Sequence, residues 1–219
     1  MTDLAKTELE FQRARSPEQR AARRRAILGV AAELLAEAPV AEISLRELAR
    51  RVGLSKTNVV RYFETREAVF FALLNQSVAD WLDELPAELP AGSPAAVAEA
   101  LARSVARRPL VCELWSALGT QLERNISAAA VREFKLANAD NQARLAELLG
   151  VRVEGLEPGA AREFVAMLIL LIAGLWPFAN PAPSVTEAIE DPRLAGSRVD
   201  FADRLARYLT IALDGLRTP

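Results

Sequence analysis

Lys56, Thr57, Asn58 and Arg61 fall within one short stretch, KTNVVR, and all four are side-chain types that read nucleic-acid bases. Asparagine matches adenine N6 and N7 together, arginine forks onto guanine O6 and N7, a threonine methyl meets the thymine methyl, and lysine reaches base or phosphate. Reading of this kind needs the side chains on one exposed face of a rigid element that enters the major groove. On a helical wheel Val59 and Phe63 turn inward with Leu48 and Val52, which leaves Thr57, Asn58 and Arg61 on the outer side.

The flanking residues supply such an element. Ser55 can cap a helix running to Phe63. Before it, Ser44-Leu45-Arg46-Glu47 has the capping-box pattern, in which the serine oxygen takes the Glu47 amide and the glutamate reaches back to the Ser44 amide. Leu45, Leu48, Ala49 and Val52 make the apolar face of that second helix, and Gly53 supplies the left-handed residue that ends it. Two short helices about a glycine turn form a helix-turn-helix unit. Ser16-Pro17-Glu18 starts an earlier helix, with Ile27, Ala31, Leu34 and Leu35 at helical spacing until Ala38-Pro39. A fourth helix is expected from Arg66 to Leu85, striped by Val69, Phe70, Leu73, Leu74, Val78, Trp81 and Leu82. Short capped helices with polar outer faces also occur in all-α proteins that never meet DNA, so periodicity alone leaves that alternative open.

Composition narrows the choices. The chain has 219 residues, no histidine, and Cys112 as its single cysteine, which excludes disulfide frameworks, Cys/His metal sites and histidine relays within one chain. No nucleophile elbow, phosphate loop or dinucleotide fingerprint is present. An enzyme is not expected, nor a cofactor or metal. Residues 1–66 carry 13 Lys/Arg against 9 Asp/Glu, a net +4, and the remainder a net −6. A basic end on an acidic body suits a protein of which one end meets phosphate. The first residues lack an apolar secretory core, so a cytoplasmic location is expected. The apolar run Phe164 to Phe178, broken by Gly174 and Pro177, reads as a buried helix too short for a bilayer, so no membrane partner is expected.

The stretch RAILGVAAELLAEAPVAEISLRELARRVGLSKTNVVRYFETREAVFFALL, residues 25–74, resembles the DNA-binding domain of the TetR family along its whole length without a gap. Spacing, turn glycine and the Tyr62-Phe63 aromatic pair all coincide with the family pattern. The resemblance implies base contacts from Lys56, Thr57, Asn58 and Arg61, phosphate contacts from Tyr62 and Arg66, and Ser44 as the cap that sets the second helix against the DNA backbone. Val60 stands where the family usually has a backbone-touching tyrosine, and Arg66 where it has a lysine. The cluster Arg20, Arg23, Arg24 and Arg25 lies where family members touch phosphate, with Arg23 chosen as the contact, although a solvated arginine face reads equally well.

The expected fold is all-α, about nine helices, with a three-helix DNA-binding domain followed by a helical ligand-binding and dimerisation domain. The organisation expected is a flexible arm over 1–16, the helix-turn-helix domain over 17–66, a connecting helix and linker over 67–91, and the effector and dimer domain over 92–219. Pro86, Pro90, Gly92 and Pro94 mark the break. Later helices are expected near 94–107, 109–125, 127–149, 158–176 and 200–216, with a short one at 184–189. A single recognition helix reads only a few base pairs, so a homodimer on a near-palindromic double-stranded operator is expected. Phe164, Leu168, Leu171 and Leu175, with Leu205, Leu209 and Leu213, are the candidate dimer face, and an intrachain core is their other reading. Cys112, Trp115, Leu118, Gln121, Leu122, Phe134 and Asn138 are candidate contacts for a small-molecule effector, with Asn141 beside them. The rival to a ligand-responsive repressor is a helical binding or scaffolding protein without DNA activity.

Overall fold

The computed structural model describes residues 16–124 and 126–217. The arm expected over residues 1–16 lies, Ser16 apart, outside that range. The described residues form ten α-helices and no β-strand. They divide into two compact units, one ending at Leu73 and the other beginning at Leu74. That division falls inside a helix and not at the proline-rich stretch 86–94.

In the first unit α1 spans Pro17–Glu37, a 3-10 turn Val40–Glu42, α2 Leu45–Val52 and α3 Lys56–Val60, and α4 starts at Arg66. The full capping box sits on α1, where Ser16 Oγ accepts from the Gln19 amide and Gln19 Oε1 accepts from the Ser16 amide. At α2 only half of the expected box forms. Ser44 Oγ accepts from Glu47 N at 3.1 Å, but the Glu47 carboxylate is held by Arg50 at 2.6 and 2.9 Å. A charged donor one turn along binds the carboxylate more strongly than a backbone amide, and the Arg50 hydrogen bond lowers the Glu47 pKa.

Gly53 ends α2 at φ +73°. Its amide donates to Arg50 O and the Leu54 amide to Ala49 O, at 3.2 and 2.9 Å, the paired bonds of a Schellman cap. Ile27, Leu28, Ala31, Leu34, Val40, Ile43, Leu48, Ala49, Val59 and Phe63 are buried and form the core of this unit, joined by Val69, Phe70, Phe71 and Leu73 from the start of α4.

α4 runs from Arg66 to Glu88 and continues through Pro86. The missing proline amide costs one bond near the helix end. Beyond it the ladder recovers, with Leu89 N donating to Leu85 O at 3.0 Å. The second unit continues with α5 Pro94–Ala106, α6 Pro109–Ala117, a π-turn Leu118–Leu122, α7 Ala128–Arg152, α8 Pro158–Ala179, α9 Pro183–Ala188, a 3-10 turn Pro192–Ser197 and α10 Phe201–Leu216. α5 packs along α10, while α8 packs against α6, α7 and α10.

Two polar features are set into this apolar interior. Trp81 stands edge-on to Trp115, with ring centroids 6.1 Å apart, and donates Nε1–H to the buried Ser104 Oγ at 2.8 Å. Arg108 reaches Ser104 O at 2.6 Å and pairs with Glu84 and Glu88 at 2.6 and 3.0 Å, so α4, α5 and α6 are tied by one network.

Burial also corrects the reading of the apolar run. Pro158–Ala179 is 22 residues, long and apolar enough by length and composition to cross a membrane, and only 28% of its most apolar window is buried. It is a one-sided packing helix, not a fully buried one.

Gly53→Ala should lower unfolding free energy by about 1 kcal/mol in urea titration, because nothing lies within 4 Å of an added Cβ and the whole cost is the left-handed backbone. Ser104→Ala should cost about 1–3 kcal/mol by the same measurement, since it leaves the buried Trp81 N–H without an acceptor.

Candidate nucleic-acid interface

Ser55 begins the recognition element, its Oγ accepting from Asn58 N at 3.2 Å. Regular helix lasts only from Lys56 to Val60, shorter than the expected Ser55 to Phe63. The helical course is nevertheless kept to the aromatic pair, because Tyr62 N and Phe63 N both donate to Val59 O, at 2.9 and 3.0 Å. Val59 and Phe63 are buried one turn apart. Lys56, Thr57, Asn58 and Arg61 are all exposed, and spacings of three and four bring Asn58, Thr57 and Arg61 onto one face. Val60 is also exposed, at 40%, beside these candidate side chains.

The arginine cluster of α1 does work the sequence did not disclose. Arg24 Nη1 donates to Tyr62 O at 2.6 Å, and its guanidinium lies 4.2 Å from the Phe63 ring centroid. Arg20 reaches Arg61 O at 3.4 Å and sits 6.0 Å from the Tyr62 ring centroid. Two cations therefore cap the carbonyls that close the recognition helix, where positive charge is favoured. Arg24 and Arg20 are positioning residues for α3. Arg25 is exposed, while Arg23 and Tyr62 are half-buried. The only signal in sequence was the arginine run itself, which does not say what accepts from each guanidinium.

Arg66 is also engaged within the chain. Its Nη1 donates to Val40 O, Ala41 O and Ile43 O at 3.2–3.5 Å, and its Nε and Nη2 engage the buried Glu67 at 3.1 and 2.9 Å. The fork expected on phosphate is occupied inside the protein, where it ties the 3-10 turn before α2 to the start of α4. Arg51 is engaged likewise, bidentate on Glu37 at 2.6 and 3.0 Å, and that bond lowers the Glu37 pKa. The exposed cations of the candidate face are thus Lys56 and Arg61.

In the second unit the expected dimer residues separate by burial. Phe164, Leu168, Leu205, Leu209 and Leu213 are fully buried within their own chain, because α5, α6 and α7 already cover that side of α8 and α10. They are core residues of their own chain. Leu171 and Leu175 are half-buried. On α8 and α10 the large apolar side chains left outside are Leu170 at 72%, Phe178 at 71% and Ile211 at 61% exposure.

The expected effector contacts separate in the same way. Cys112, Trp115, Leu122 and Phe134 are buried, and Leu118, Gln121 and Asn138 half-buried. Burial raises the Cys112 thiol to about 12, so it is a neutral packing group that donates Sγ–H to Val105 O. Asn75, which sequence reasoning did not single out, donates to Phe134 O at 3.2 Å, and its own backbone carbonyl accepts from the buried Asn141 at 3.0 Å. Asn75 Oδ1 and Gln121 Oε1 are both buried without a hydrogen-bond partner. Two cavities, of about 860 and 400 Å³, open elsewhere, around Ala91–Pro94 and Gly150–Glu157, and none of the expected contacts lines them.

Comparison with known proteins agrees with this division. Residues 27–73 match the description "Bacterial regulatory proteins, tetR family" and residues 75–219 match "Tetracyclin repressor-like, C-terminal domain". The HTH-type transcriptional regulator RutR of Escherichia coli K12 is 35% identical over 66 residues, 30% of this chain and 31% of RutR, so the match spans about a third of that relative. A TetR transcriptional regulator from Rhodococcus sp. RHA1 superposes with a TM-score of 0.58 at 20% identity, covering 90% of this chain and 95% of the other. The fatty acid degradation regulator FadR of Bacillus halodurans superposes with a TM-score of 0.56 at 14% identity, covering 94% and 100%. At those identities the two structures establish the fold. With both units matched in order, the chain belongs to the TetR family of DNA-binding transcriptional regulators, with a repressor-like C-terminal domain.

Proposed function

We propose that this protein is a ligand-responsive repressor that binds a near-palindromic double-stranded DNA operator as a homodimer in the cytoplasm and releases it when a small molecule binds. The observation that carries the DNA part is the exposed set Thr57, Asn58 and Arg61 on a helix whose opposite side is fixed by Val59, Phe63 and Arg24. Base reading needs side chains that are free to bond and a backbone that is not. Lys56 and Arg61 supply the charge, Arg23 and Tyr62 extend it towards phosphate, and Ser44 sets the angle of α2. Val60 offers a methyl surface for thymine.

The dimer part rests on Leu170, Phe178 and Ile211, large apolar side chains left exposed on α8 and α10. Leu171 and Leu175 border it. The effector part rests on the two orphaned acceptors, Asn75 Oδ1 and Gln121 Oε1. Buried acceptors without partners are uncommon and invite a donor-bearing ligand, and the π-turn at Leu118–Leu122 is the kind of helix irregularity that accompanies binding sites. The effector acts by differential affinity for the two conformations of the dimer.

Arg61→Ala should weaken operator binding roughly 10- to 100-fold, the worth of one bidentate base contact, with circular dichroism unchanged. The check is a salt-dependent titration on the DNA upstream of the protein's own gene, with random DNA as competitor; undiminished binding would remove Arg61 from the interface. Leu170→Glu or Ile211→Glu should convert the dimer to a folded monomer in sedimentation equilibrium, because both side chains are exposed in the single chain. A dimer that persists in both variants would put the interface elsewhere.

A further inference from the structure

The cleft where α7 gives way to α8 lies wholly in the second unit, and its lining is chemically specific. Its larger lobe, about 860 Å³, is walled by Ala91–Pro94, Gly150–Glu157 and Arg217. Its smaller lobe, about 400 Å³, shares Gly150, Val151 and Leu156 with the first and continues along Ala143, Ala146 and Pro158. Together they are in the size range of small-molecule sites. The floor is held by backbone, with Gly92 N donating to Arg152 O at 3.2 Å beside an isolated parallel bridge from Gly92 to Val153.

Charge in this cleft is sorted by depth. The two half-buried charged residues lining it are Arg152 and Arg217, while Glu147, Glu154, Glu157 and Arg162 are exposed. Arg152 donates Nη2–H to Pro86 O at 2.8 Å, and its Nε is buried without an acceptor. Arg217 donates Nε–H to Glu154 O at 2.7 Å. Neither guanidinium is ion-paired among the described residues. Both arginines line the cleft with guanidinium edges that no carboxylate of the chain occupies among the described residues, and a carboxylate is the group that answers such an edge. The adjoining lobe is apolar, and Val151, 81% exposed, stands at its edge as an uncovered hydrophobic side chain.

We propose that this cleft is a binding site for a small amphiphilic carboxylate. The head group accepts from Arg152 and Arg217, and the aliphatic body lies along Ala143, Ala146, Val151 and Leu156. The site is separate from the middle-helix region around Asn75 and Gln121, and occupancy here does not depend on operator release.

Isothermal titration of the full chain with sodium octanoate tests it, with 1-octanol and acetate as probes that lack the head or the tail. Saturable octanoate binding is expected, at least about tenfold tighter than either partial probe and weakened about tenfold or more by Arg217→Gln, the worth of a charged hydrogen bond. Arg152→Gln, with its circular dichroism compared to the parent, gives a second variant in case one of the two perturbs the fold. Absence of saturable octanoate binding up to about 10 mM, well past a millimolar dissociation constant, would overturn the proposal. So would equal affinity for 1-octanol, or octanoate affinity unchanged in both variants.

Discussion

A helix of five residues has no stability of its own, since nucleation alone outweighs the few bonds it makes, and the rest of the DNA-reading unit exists to hold one in place. α3 is held at every side that does not face outward. Ser55 caps its start, the Gly53 turn sets its direction, Val59 and Phe63 anchor it to the core, and Arg24 and Arg20 take the carbonyls at its end. Arg24 does two of these jobs at once, bonding the Tyr62 carbonyl and covering the Phe63 ring. A cation over an aromatic face contributes about 0.5–1 kcal/mol at exposed sites and more where water is excluded. The reading face can therefore be entirely polar and exposed without fraying.

The same economy governs α8 and α10. Each is apolar on more sides than one chain can cover, and the buried stripe is taken first by neighbours in the same chain. Phe164, Leu168, Leu205, Leu209 and Leu213 complete the core, and Leu170, Phe178 and Ile211 are what remains. A helix can serve both a core and an interface only if its two apolar stripes are offset around the axis. On α8 the offset is visible as Leu168 against Leu170, two residues and about 200° apart at 3.6 residues per turn.

The elements themselves were legible because their signals are local. Capping serines, Gly53 and the proline starts placed nearly every helix within a few residues, and the wheel correctly separated Val59 and Phe63 from Thr57, Asn58 and Arg61. What was not legible depends on neighbours distant in sequence. Pro86 looks like a terminator, but it falls within a turn of the end of α4, where a single lost bond does not stop the helix. Apolarity marked α8 and α10 but could not say which side faced the core. Glu47 and Arg66 illustrate the same point for charge. Each satisfies a motif in sequence, yet Glu47 is captured by Arg50, and Arg66 by three carbonyls contributed by residues 23–26 positions away.

Arginine is the residue for which this ambiguity is greatest, and this chain uses it in at least four ways. Arg61 is exposed on the reading face; Arg24 closes a helix end; Arg66 and Arg108 tie elements together from half-buried positions; and Arg152 leaves a buried donor unmatched beside a cleft. Five donors in a rigid fork make all of these possible, and the number of acceptors within reach decides between them. Where carbonyls and carboxylates of the chain saturate the fork, as at Arg66 and Arg108, the residue is structural and a ligand would have to displace an existing partner. Where the fork is exposed, as at Arg61, water satisfies it and exchange for another acceptor is inexpensive. Arg152 is the intermediate case, with Nη2 committed and Nε both dry and unmatched. In a folded protein that combination is stable only at a cost, which the Nη2 bond to the Pro86 carbonyl partly offsets.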